Sequence, residues 1–98
     1  MIVAEISVVP IGEGTSVGKY VRLAVKAIKD SGVKYNVSPM GTCFETETIE
    51  KALEIASKAH KAVVSAGAKR IVTTLKIDER LDAPHSMEKK INSATREE

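Results

Sequence analysis

The stretch Ile2-Val3-Ala4-Glu5-Ile6-Ser7-Val8-Val9-Pro10 decides the fold. Ile2, Ala4, Ile6 and Val8 form a wholly apolar face, and Val3, Glu5, Ser7 and Val9 form a mixed one. A period of two marks a strand, because successive side chains leave a strand on opposite sides. The apolar face demands a covering layer. The mixed face is too apolar for a solvated surface and too polar for a core.

Working outward, Gly12, Glu13 and Gly14 make a turn, and Thr15 or Ser16 offers a side-chain oxygen to cap a helix running to about Ser31, ended by Gly32. Its apolar positions, Val17, Val21, Ala24, Val25 and Ile28, recur at helical spacing. Tyr35 to Ser38 and Thr42 to Glu45 read as a hairpin about Pro39-Met40-Gly41. Thr48 caps a second helix with the stripe Ile49, Leu53, Ala56, His60 and Val63, flanked by Ala52, Ala59 and Val64 and stopping near Gly67. Arg70 to Asp78 reads as a further strand, with Val72, Thr74, Lys76 and Asp78 on its polar side. After a loop containing Pro84, Met87, Ile91 and Ala94 suggest a short terminal helix suited to docking on a neighbour.

Strand, helix, strand, strand, helix, strand is the order of a split βαβ. The expected class is therefore α+β: a ferredoxin-like sandwich whose four-stranded antiparallel sheet carries both long helices on one face, with an extra C-terminal helix. The second sheet face, with Glu5, Ser7, Thr74 and Lys76 among Val3, Val9 and Val72, is expected to meet a ligand or another subunit.

With 98 residues and 43% hydrophobic content, the expectation is one domain over residues 1–98. Aromatic residues are scarce, so the core must be aliphatic. A net charge of +2 with interspersed signs carries no polyanion-binding tail. The lone Cys43 cannot form an internal disulfide, and no secretory signal is recognisable ahead of the first strand, so a cytoplasmic protein is expected. Apolar runs fall far short of the roughly 20 residues of a membrane span.

The loop Gly12-Glu13-Gly14-Thr15-Ser16-Val17-Gly18-Lys19-Tyr20 invites a phosphate-loop reading and fails it. Glu13 stands where the first glycine is needed, and Tyr20 where Ser or Thr should follow the lysine. Turn and capping duty is the plainer reading. Cys43, His60 and His85 have no metal-ligand spacing, so no metal is expected. His60 reads as a buried, hydrogen-bonded imidazole and Cys43 as a small core residue. RNA binding on this strand order needs stacking aromatics, and the strands offer Phe44 alone, so no nucleic-acid partner is expected. Glu5 and Asp78 are carboxylates in apolar strands, explained equally by a salt bridge to Lys76 or Arg80 or by a ligand. A carboxylate there can accept from an amino-substituted heterocycle, with Ser7, Ser38, Thr42 and Thr74 supplying neutral donors and acceptors.

Three stretches, Ala4 to Gly12, Ser38-Pro39-Met40-Gly41-Thr42 and Thr73 to Arg80, together with Ala59-His60, resemble the YkoF-like thiamine-binding family over nearly the whole chain. The resemblance implies a ferredoxin-like fold, assembly into dimers or tetramers through the sheets, and binding of thiamine or its hydroxymethylpyrimidine moiety in some relatives. Carried onto this chain, the family-like polar positions are Glu5, Ser7, Ser38, Gly41, Thr42, Thr74 and Lys76. The leading expectation is a non-catalytic carrier or sensor with no required cofactor and no catalytic residues, whose pocket is closed by a partner subunit. A structural homo-oligomer is the alternative. An enzyme on a small anionic metabolite, using Lys19, Lys76 or His60, comes third.

Overall fold

The computed structural model describes residues 1–97. Its elements are β1 (Ile2–Pro10), α1 (Gly18–Asp30), β2 (Tyr35–Ser38), β3 (Gly41–Thr46), α2 (Ile49–Ser65), β4 (Ile71–Glu79) and α3 (Met87–Thr95). The four strands form one antiparallel sheet in the order β2-β3-β1-β4. This is the expected α+β ferredoxin-like arrangement, with α1 and α2 on one face. β1 holds both neighbours, pairing Ile2↔Thr46 through Ile6↔Thr42 with β3 and Ile2↔Glu79 through Pro10↔Ile71 with β4.

The even residues of β1 enter the core as their alternation requires. Ala4, Ile6 and Val8 pack with Phe44 of β3 against Tyr20, Ala24 and Ile28 of α1 and Ala52, Ile55, Ala59 and Val63 of α2. Alanine dominates the α2 contact and lets the helix lie close to the sheet, where the rings of the fully buried Phe44 and the buried Tyr20 complete the core. Thr48 caps α2 as expected, its side chain accepting from the Lys51 backbone N–H at 3.1 Å. Past the helix end Gly67 takes φ +99°, a left-handed turn that costs glycine little.

Several local expectations are corrected. Neither Thr15 nor Ser16 caps α1; the N-cap is Val17, with no side-chain bond, because the loop runs on until Gly18. The buried stripe of α1 is Tyr20, Ala24 and Ile28, leaving Val21 exposed. In α2 the stripe is rotated toward Ile55, with Leu53, Ile49 and Val64 outside. Valine and leucine at neighbouring turns make two stripes of similar hydrophobicity, and the sheet selects between them. Cys43 pairs with Glu5 and therefore lies on the face opposite the core.

That second face is only partly open. α3 crosses it at the row Glu45, Val3 and Asp78, leaving Glu45 and Val3 buried. The Met87 backbone N–H donates to Glu45 Oε1 at 2.7 Å, inside the contact. Lys90 and the buried His85 both reach Asp78, with His85 Nε2 3.4 Å from its Oδ2. Asp78 thus anchors α3 instead of pairing with Lys76 or Arg80, and Arg80 turns to Asp82. The Lys90 hydrogen bond holds the Asp78 carboxyl below its ordinary pKa.

Replacing Phe44 by Ala should destabilise the domain by about 3–5 kcal/mol, the usual cost of emptying a ring's place in a tight core. Urea unfolding checks this. A loss below about 1 kcal/mol would mean that the alanine-lined helices can close over the gap.

Candidate functional site

β3 is shorter than β1, and the difference makes a hole. Pairing between them stops at Ile6↔Thr42, where the chain turns through Pro39 and Met40 toward β2. Ser7 to Pro10 therefore have no β3 neighbour, and α1 passes over the gap. The result is a notch of about 250 Å³, walled by Val17 at the N-cap of α1, Val21 and Val25 of α1, Val8 and Val9 of β1 and Val37 of β2. Ser7, Ser38, Gly41 and Thr42 provide its polar lining, and Met40, 84% exposed, stands at the hairpin tip. Apolar walls with a few convergent polar groups are the usual make-up of a small-molecule site. Drug-sized ligands occupy ~300–1,000 Å³, so this notch suits a single small ring.

Of the expected site residues, Ser7, Ser38, Gly41 and Thr42 meet here, although Thr42 reaches the notch from the helix side of the sheet and Ser7 from the other. The Ser38 hydroxyl donates to the Gly41 carbonyl at 2.8 Å and stiffens the hairpin. Glu5 stands at the rim: a Cβ on Gly41 would lie 3.2 Å from Glu5 Cγ and 3.1 Å from the Ile6 carbonyl oxygen. A larger residue there would press on the Glu5 side chain and the Ile6 carbonyl. Thr74 faces Ser7 across the β1–β4 register, and Lys76 faces Glu5. Lys76 Nζ is 4.0 Å from Glu5 Oε1, a long, solvent-exposed pair of small energetic weight. Thr74 and Lys76 thus belong to the open face beside the notch and are not part of its lining.

Valines 21, 25 and 37 were not expected as site residues. For Val21 and Val25 the signal was the apolar stripe read on α1, legible as hydrophobic but not as a wall; Val37, on β2, carried none.

Cys43 shares the open face with Glu5, and burial first, then the nearby Glu5 carboxylate, push its thiol pKa up. Lys19, Lys76 and His60 lie apart. Lys19 sits 4.9 Å over the Tyr20 ring, Lys76 is beside Glu5, and His60 Nδ1 is hydrogen-bonded to Thr73 Oγ1 across 2.6 Å, as expected, although the imidazole is half-buried and not fully so. Among the described residues no group of three His, Cys, Asp or Glu side chains is placed to hold a metal ion. No helix among them is long and apolar enough to cross a membrane.

The family profile described as thiamine-binding protein matches residues 4–95. A UPF0045 protein of Methanothermobacter thermautotrophicus is 45% identical over 94 residues, covering 95% of each chain. A crystal structure of a hypothetical protein from Methanocaldococcus jannaschii superposes with a TM-score of 0.88 at 36% identity, covering 95% of this chain and 94% of that one. A Thermotoga maritima protein proposed to act in thiamine biosynthesis or salvage superposes with a TM-score of 0.82 at 27% identity, covering 95% and 97%.

The Glu5–Cys43 proximity has a chemical readout. A raised pKa leaves less thiolate, so iodoacetamide at pH 8 should modify Cys43 more slowly than it modifies a free thiol. Glu5→Gln should speed the reaction, by less than about tenfold because burial remains. An unchanged rate in the variant would separate the two side chains.

Proposed function

The chain belongs to the thiamine-binding protein family, and from that premise we propose that it binds thiamine or its hydroxymethylpyrimidine moiety in the cytoplasm as an oligomeric carrier or sensor, without acting on it chemically. The single observation that carries this reading is the notch at the end of the β2–β3 hairpin. Its valine walls suit the faces of an aminopyrimidine, and Ser7 and Thr42 of its lining carry hydroxyls of the kind that pair with ring nitrogens. The second, thiazolium ring of thiamine carries a positive charge and would sit outward, where Glu5 offers a carboxylate. No required cofactor enters this reading. The scatter of Lys19, Lys76 and His60 over separate parts of the molecule supports a site that binds without reacting.

The uncovered half of the second sheet face supports the oligomeric reading. Val9 and Val72 pair there side by side, 39% and 48% exposed, next to the Ser7–Thr74 row and one row beyond it from Glu5–Lys76. The chain is also drawn out, with a radius of gyration of 14.4 Å where a compact domain of this length has about 12.6 Å. A second copy on this face, as a dimer or dimer of dimers, would supply the missing layer and close the rim over a ligand. The same exposed valines favour the alternative, a structural homo-oligomer with an empty notch.

Isothermal titration of the refolded protein with thiamine, and separately with hydroxymethylpyrimidine, decides between them. Saturable binding at micromolar or lower concentration, near one ligand per chain or per dimer, is expected, and Glu5→Gln should weaken thiamine about tenfold. No heat from either compound would overturn the ligand reading and leave the structural oligomer. Light scattering tests assembly: a monomer at every concentration would remove both oligomeric readings.

A further inference from the structure

The register of β1 determines which way its backbone groups point. The Ile11 N–H donates to the Arg70 carbonyl at 2.7 Å, in step with the β1–β4 pairing, so the odd residues of β1 direct N–H and C=O toward β4. The even residues then point toward β3. The other side of the sheet gives the same answer independently. The Glu45 N–H donates to the Lys34 carbonyl, so odd residues of β3 point to β2 and even ones to β1, where Ala4↔Phe44 and Ile6↔Thr42 exchange their bonds.

Val8 is the next even residue after Ile6, and the pairing has already ended. Its N–H and C=O point at the gap, and Val8 lines the notch. Among the described residues no backbone partner reaches either group. Two steps on, Pro10 has a carbonyl but no N–H, so this edge cannot continue as a ladder for an incoming strand. What remains is one donor and one acceptor side by side on a single residue, within apolar walls.

We infer that the Val8 main chain reads the ligand, pairing with a small planar heterocycle that carries an acceptor and a donor on one edge, as a ring nitrogen beside an exocyclic amino group does. The ring nitrogen accepts from the Val8 N–H and the amino group donates to the Val8 carbonyl, as a facing strand residue would. The second amino hydrogen is left for the polar rim. The hydrogen bonds of this readout come from the backbone, while the Val8 side chain packs in the core and on the notch wall. The inference rests on the small-molecule reading of the notch and specifies how that site selects.

Two measurements test it. In the free protein, amide hydrogen exchange should be on the order of 100-fold faster at Val8 than at Ile6, its neighbour of the same parity. Equal protection would mean that Val8 already has a partner and would overturn the inference with no ligand involved. In the second, hydroxymethylpyrimidine should shift and protect the Val8 amide, and the analogue with hydrogen in place of the amino group should bind at least about tenfold more weakly. Binding of hydroxymethylpyrimidine with the Val8 amide unmoved, or equal binding of the two compounds, overturns backbone readout and leaves the small-molecule site standing. Binding of neither compound overturns both.

Discussion

Everything in this domain hangs on the parity of β1. Even residues send their side chains into the aliphatic core and their backbone groups to β3. Odd residues send side chains to the opposite face and backbone groups to β4. Because the period is two, a slip by one residue would put Glu5 and Ser7 under the helices and Ile6 in solvent. The buried set of Ile2, Ala4, Ile6 and Val8 makes that exchange prohibitive, and the same parity determines which backbone groups remain at the notch.

Much of this could be read from residues alone, for definite reasons. β1 is bounded as expected because its alternation is unbroken from Ile2 to Pro10. The hairpin and the Thr48 cap follow from local chemistry, and element order then leaves few topologies. The helical stripes were harder. On α1 the chain offers Val21 and Val25 as well as Tyr20, Ala24 and Ile28, and only contact with the sheet decides which set is buried. On α2 the same ambiguity hid Ile55.

The site was legible in part. Ser7, Ser38, Gly41 and Thr42 were expected and do converge, yet the cavity that unites them depends on β3 ending before β1 does. A length mismatch between paired strands is a non-local fact that no periodicity reports. Cys43 shows the converse: its residue type favours a core, whereas its odd position in β3 puts it beside Glu5 on the other face. The tethering of α3 also escaped the sequence. Glu45, Asp78 and His85 are distant along the chain and meet only because β3, β1 and β4 are neighbours.

The doubled apolar character of α1 has a consequence for how such a domain can diverge. One set of its residues holds the helix to the sheet, and another, Val21 and Val25, a step around the axis, walls the notch, with Ala24 common to both. Substitutions in the second set alter the shape of the cavity while leaving the buried packing that maintains the fold intact. The notch wall can therefore change shape at Val21 and Val25 independently of the Tyr20 and Ile28 packing that maintains the fold.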